Sequence, residues 1–186
     1  MASGDRQHLS AEDGGETVIP GVLVAAAEGG GLLLTGPSGA GKSDAAWGLL
    51  ERGYALVADD AVRLRRDGGR LVGSCPREGR GLLALRDLGI IDVALLRGEA
   101  AVALQAELAL VVDLQPGSSP VCAESALRGR HDRCRIMGVE LPRVQLTDTR
   151  HRPTAALIAA AVNMTLHPRV ARPAMEDEGD EPLWPT

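Results

Sequence analysis

A chain of 186 residues, 45% apolar and 24% charged, suffices for one globular domain with a proper core and is too short for two ordinary ones. Aromatic residues make up only 2% and phenylalanine is absent, which leaves the core to Leu, Val, Ile and Ala and excludes an aromatic platform for stacking single-stranded nucleic acid. The net charge of −5 sits at the ends, with four acids and one Arg in residues 1–16 and five acids and no base in residues 176–186; this balance argues against bulk binding to nucleic acid or to an anionic membrane surface.

In chain order, residues 1–16 read as a flexible polar arm, residues 17–170 as one catalytic domain, and residues 171–186 as a disordered, acidic, Pro-rich tail. Val18–Ala27 and Leu32–Leu34 read as strands separated by a turn at Gly29–Gly31. Ser43–Arg52 carries Ala45, Ala46, Leu49 and Leu50 on one helical face, and Gly53 stands where a helix-ending glycine belongs. Ala55–Ala58 is a short apolar strand. Val62–Leu64 and Arg70–Gly73 flank Asp67-Gly68-Gly69, a hairpin signal. Leu108–Leu114 is a further buried strand, and Pro153–Leu166 a helix stopped before Pro168. Strand, helix and strand followed by buried apolar strands indicate an α/β fold.

Cys75, Cys122 and Cys134 are odd in number and widely spaced, which fits thiols in a reducing compartment better than a disulfide framework or a zinc site. The chain opens on no basic patch followed by an apolar run, and the longest strongly apolar run, Ala155–Val162, is too short for a bilayer; the expected location is the cytoplasm.

Leu32-Leu33-Leu34-Thr35 runs directly into Gly36-Pro37-Ser38-Gly39-Ala40-Gly41-Lys42-Ser43, and a helical pattern follows. This is the phosphate-binding loop GxxxxGKS in its required setting of strand, loop and helix. Glycines let the backbone N–H groups turn inward around a phosphate, and the helix N-terminus adds partial positive charge. Lys42 would reach the β- and γ-phosphates of a nucleotide, and the Ser43 hydroxyl would ligate Mg²⁺. Of twenty cationic side chains, Lys42 is the only lysine. A chain otherwise built with Arg keeps the compact ammonium where a point charge on phosphate is needed.

Leu56-Val57-Ala58 ends in two adjacent carboxylates, Asp59 and Asp60. Neighbouring strand residues point to opposite faces, so one Asp can face Mg²⁺ while the other takes a different direction as a general base. The plainer alternative is a pair of turn acids. Leu108–Val112 also ends in an acid, Asp113, but offers no second carboxylate.

The stretch Gly31–Val62, with its P-loop, its Glu51-Arg52-Gly53 helix end and its Val57–Asp60 strand end, resembles the catalytic domain of HPr serine kinase/phosphorylase. Leu83–Asp92 is similar to that family's second signature, and Gly21–Val24 to the strand preceding its P-loop. The resemblance implies a P-loop kinase-like single α/β domain in a short, catalytic-domain-only form. It further implies an ATP- and Mg²⁺-dependent serine kinase acting on HPr or an HPr-like phosphocarrier, often in a homo-oligomer such as a hexamer. By the same resemblance, Gly36–Ser43 bind ATP, Ser43 and Asp59 hold the metal, Asp60 is the base that deprotonates the acceptor serine, Asp59 supports it, and Arg86 is the arginine of the second signature. Arg152 falls near the arginine of a C-terminal family motif that is otherwise unmatched here.

The chain departs from the family at three points: Pro20 where the family has a histidine, Ala84 where it has a metal-binding glutamate, and Asp87 where it has a glycine. Proline neither titrates nor donates. The departures favour an alternative, a catalytically weakened nucleotide-binding regulator acting through protein contacts. His8, His131, His151 and His167 read as surface histidines that do not fill the place of Pro20. Arg128–Arg135 reads as a solvated, Arg-rich loop, with docking of an acidic partner or sensing of phosphorylated metabolites as the functional alternatives.

Overall fold

The structure, a computed structural model, describes residues 15–27, 30–116, 131–147 and 152–166. Its organisation follows from the apolar strands, which are long enough to send alternate side chains to two faces. Within β3 (Gly30–Thr35), Leu32 and Leu34 enter one core and Leu33 the other. Around it lie β2 (Val22–Ala26), β4 (Ala55–Ala58), β9 (Gln105–Gln115), β10 (His131–Ile136) and β11 (Val139–Thr147), in the order β4-β2-β3-β9-β11-β10. β3, β9 and β11 are parallel, and β2 is antiparallel to both β3 and β4. The carboxyl ends of β3, β4, β9 and β11 therefore share one edge of the sheet, the edge at which α/β proteins place ligands.

One face is covered by α1 (Lys42–Leu50), α3 (Thr154–Leu166) and the hairpin of β7 (Leu82–Leu85) and β8 (Gly89–Asp92). A short helix α2 (Val93–Arg97) follows β8, capped by the Asp92 carboxylate, which accepts from the Leu95 N–H at 3.0 Å. α1 buries Ala45, Ala46, Leu49 and Leu50, the four residues of the expected stripe, and Gly53 after it has φ of 88°. Gly48 is where α1 meets α3: a Cβ there would lie 2.7 Å from the Ala155 Cβ, so the helices approach to near contact.

The other core lies between the sheet and an antiparallel annex of β1 (Glu16–Pro20), β5 (Ala61–Asp67) and β6 (Arg70–Ser74), with Leu23, Val57, Leu64, Leu71 and Val111 among its members. β9 joins the two parts: its first residues pair with β6, and its last with β3 and β11. The hairpin read from Asp67-Gly68-Gly69 is β5–β6, with Asp67 inside the strand and opposite Arg70.

Two expectations are corrected. Val18–Ala27 is two strands: β1 pairs with β5, and β2 with β3 and β4. Pro20 has no N–H to continue the ladder. Gly21 then passes so close to β3 that a Cβ would lie 2.9 Å from the Leu34 carbonyl oxygen, which fixes the corner there. The described part of the Arg-rich segment, from His131 on, is strand β10 and not a loop. It turns into β11 through Met137 and Gly138, both at positive φ (47° and 79°), the backbone that a two-residue hairpin requires. Arg128–Arg130, Cys122, His8, His151, His167 and the tail at 171–186 lie outside the described residues. Cys75 and Cys134 are free thiols. Among the described residues no helix is long and apolar enough to cross a membrane.

Candidate active site

The loop joining β3 to α1 is shaped by close backbone approach. Gly36 has φ of 131°, and a Cβ on it would come within 2.2 Å of the Leu114 carbonyl oxygen, so no side chain fits. Gly41, at φ 85°, makes the turn into α1, and its carbonyl accepts the Ala45 N–H at 2.9 Å. The free N–H groups of the first helical turn thus face the cleft. Lys42 Nζ donates to the Gly36 and Pro37 carbonyls, each at 3.0 Å, which folds the ammonium over its own loop.

Asp59 ends β4 half-buried and is held on both oxygens. Oδ1 accepts the Ser43 hydroxyl at 3.0 Å, and Oδ2 accepts the Ala84 backbone N–H at 2.8 Å. Asp60 follows in the left-handed region at φ 64°, a conformation that aspartate tolerates better than most residues. Its carbonyl accepts the Gly21 N–H at 3.1 Å, and its carboxylate stands exposed on the cleft wall. Both acids lie just past the strand and line the same cleft, so it is the left-handed turn at Asp60, not strand alternation, that separates them: one is clamped, one open.

The cleft measures about 920 Å³. Ser38, Gly39, Ala40, Gly41, Lys42 and Ser43 form its floor, and Asp59, Asp60, Ala84 and Arg86 one wall. Arg152 and the first turn of α3, through Ala156, complete the lining. Ten of the twelve residues singled out from the sequence thus meet around one cavity; the other two, Gly36 and Pro37, hold the Lys42 amine. Asp87 is not part of the wall; it sits exposed at the β7–β8 turn with φ 66°. Asp113 is also absent from the cleft lining: it accepts from Thr35 Oγ1 at 3.4 Å and from Gln115 Nε2 at 3.1 Å.

Four contributors were not read from the sequence. Arg52 lines the cleft while donating to the Gly48 carbonyl at 2.6 Å. The N-terminal turn of α3 faces the P-loop, and the Ala84 N–H is a backbone donor that no residue type advertises. Asp44 adds a third carboxylate at the rim. The Ser43 hydroxyl and the Asp59 carboxylate, 3.0 Å apart, are hard oxygen donors of the kind Mg²⁺ takes while keeping several waters and substrate phosphates in its shell. The residues present fit that ion.

Comparison with known proteins agrees with this architecture. The family described as HPr Serine kinase C-terminal domain matches residues 14–177. HPr kinase/phosphorylase of Geobacillus thermodenitrificans is 39% identical over 152 residues, covering 81% of this chain and 48% of that protein. The corresponding protein of Exiguobacterium is 36% identical over 177 residues, covering 88% of this chain and 56% of that one. The chain thus spans about half the length of these curated relatives. Among solved structures, the Hpr(Ser) kinase/phosphatase from Coxiella burnetii superposes with a TM-score of 0.72 at 27% identity, over 83% of this chain and 99% of that one. With the mixed sheet, the P-loop cleft and these matches in agreement, the chain belongs to the HPr serine kinase C-terminal domain family.

Proposed function

We propose that the protein is an ATP-dependent serine kinase/phosphorylase whose acceptor is a serine of HPr or an HPr-like phosphocarrier, working in the cytoplasm as a homo-oligomer. The observation that carries this reading is the division of labour at the end of β4: Asp59 is fixed by Ser43 and Ala84, and Asp60 is open to the same cleft. The names of the relatives supply the acceptor.

In this reading the P-loop amides and Lys42 bind the β- and γ-phosphates, the ammonium exchanging its two carbonyl partners for phosphate oxygens. Ser43 and Asp59 would hold Mg²⁺, which when bound supplies neutralisation of phosphate charge. Asp60 accepts the proton of the acceptor serine as its oxygen bonds to the γ-phosphorus. The bond from that phosphorus to the bridging oxygen breaks, and ADP leaves with the electron pair. In phosphorolysis, an oxygen of inorganic phosphate bonds to the phosphoserine phosphorus, the bond to the serine oxygen breaks, Asp60 gives its proton to that oxygen, and pyrophosphate leaves. Arg86 and Arg152, both in the cleft lining, would supply positive charge to the transferring group.

A second reading, a nucleotide-binding regulator with weakened catalysis, draws on the cleft wall itself. Ala84 offers a methyl group where the family has a glutamate, and Asp87 is outside the lining. Transfer of label from γ-labelled ATP to the HPr-like protein of the same organism separates the two. Label on an acceptor serine that is lost with Lys42→Ala is the expected result. Nucleotide binding by calorimetry with no transfer favours the regulator.

A further inference from the structure

The cleft reaches past the loop that would hold phosphate. Ser43, at the start of α1, and Gly48 are five residues apart, about 7.5 Å along the axis at 1.5 Å per residue. Arg52, beyond the last turn of α1, sends its side chain back to this level, where a guanidinium N–H donates to the Gly48 carbonyl at 2.6 Å. Arg52 nevertheless belongs to the cleft lining, as do Ala155 and Ala156 of α3. A Cβ at Gly48 would lie 2.7 Å from the Ala155 Cβ and 3.8 Å from Arg52 Nη1. The contact that joins α1 to α3 therefore sets the guanidinium beside the first turn of α3.

Among the described residues no aromatic side chain lines the cleft. Trp47 is covered by the Arg97 guanidinium, 5.6 Å from its ring centroid, and Tyr54 packs against the core. The flat groups that remain for a planar ligand are guanidinium ions. Of the three arginines in the lining, Arg86 follows the β7 strand whose Ala84 N–H holds Asp59, and Arg152 precedes α3; neither side chain has a hydrogen bond or ion pair among the described residues. Arg52 alone is anchored. One of its five N–H donors is spent on the Gly48 carbonyl, which fixes the plane in advance and spares the ordering cost that a loose side chain would pay on binding.

We infer that Arg52 binds the nucleoside end of the nucleotide, its guanidinium plane lying against the face of the purine, with Ala155 and Ala156 as the apolar surface beside it. This rests on the reading of the cleft as an ATP site and adds the residue that tells a nucleotide from bare polyphosphate. A guanidinium is planar, delocalised and weakly hydrated, so it stacks on an aromatic face where an ammonium presents only a point charge. The axial distance from Ser43 to Gly48 is of the order needed to pass from phosphate across a ribose to a base.

The test compares, by calorimetry on the full chain, MgATP with magnesium tripolyphosphate, which offers three linked phosphates and no nucleoside. Arg52→Ala should weaken MgATP about tenfold, the order of a partly desolvated cation–π contact, and leave tripolyphosphate within twofold of wild type. Arg52→Lys keeps the charge and a donor for the Gly48 carbonyl but not the plane. It should melt at the wild-type temperature and still bind MgATP at least threefold more weakly, which decides the matter even if Arg52→Ala fails to fold. Equal weakening of both ligands would mean that Arg52 acts on the phosphates, and unchanged affinity for both would reduce it to a cap on α1; either overturns the inference. Full recovery of MgATP affinity in Arg52→Lys overturns the stacking role in the same way. Wild-type protein that binds neither ligand would instead overturn the nucleotide reading itself, so the two failures are told apart.

Discussion

The β10–β11 hairpin and the P-loop cleft are both rich in cationic groups, yet they dispose of them in opposite ways. On the hairpin, Arg135 donates to Glu140 at 2.7 Å, Arg133 lies 3.4 Å from the same carboxylate, and Arg143 Nε donates to Asp132 at 2.8 Å. Hydrogen bonding to Arg143 holds the Asp132 carboxyl below its ordinary range and raises the Arg143 guanidinium in turn; hydrogen bonding to Arg135 lowers the Glu140 carboxyl. Among the described residues, the cleft leaves Arg86 and Arg152 without carboxylate partners and rests Lys42 on carbonyls. Charge density along the sequence is therefore a poor guide to anion binding. What distinguishes the two regions is whether the donors are already used within the fold.

The largest effect separating the regions is expected at Asp60. Asp60→Asn should lower phosphotransfer by about 10²–10⁴-fold, the usual worth of a positioned general base, with ATP affinity within twofold of wild type. Equal loss of binding and transfer would mean that Asp60 belongs to nucleotide binding. Next comes Lys42→Ala, for which removal of a charged donor should weaken ATP binding on the order of 10²-fold by calorimetry, with melting temperature little changed. Arg86→Ala should reduce transfer about tenfold through loss of one charge-assisted contact. An equal loss from Arg143→Ala on the hairpin would break the distinction between free and consumed cations.

The smallest effect belongs to the hairpin. Asp132→Asn removes an ion pair whose side chains are 30% and 48% exposed, so screening holds the cost to at most about 1 kcal/mol. The sign with pH is fixed by the direction of the shift. Because the native carboxyl is held below its ordinary value of 3.8, the pair stabilises the fold above that value and loses this contribution as pH falls through the lowered native one. Melting temperatures of wild type and Asp132→Asn should differ slightly at pH 7 and converge on acidification.

Local features were the most legible in the sequence. The P-loop, the α1 stripe and the β5–β6 turn are each specified within a dozen residues, and each forms where expected. Asp59 and Asp60 were expected to part by strand alternation; they lie beyond the strand and are separated by the positive φ of Asp60 instead. Illegible were features set by distant partners. Pro20–Gly21 breaks an apolar run because of an approach to Leu34, which only the sheet order creates. β10 has little apolar alternation and its turn uses Met137 at positive φ, so its pairing with Val139–Val144 left no familiar mark. In the site, the positions of Arg52 and of the α3 N-terminus depend on helix packing at Gly48 and Ala155.

The N–H of residue 84, donating to Asp59 from the middle of β7, makes this position tolerant of change in an unequal way. Any of nineteen amino acids presents the same amide there, so the side chain is free to drift, glutamate to alanine included, while the aspartate keeps its orientation. Proline alone removes the donor. Substitution at this position would thus retune the cleft wall and leave the carboxylate beneath in register, which gives a redesigned site a dial that turns without unseating its anchor.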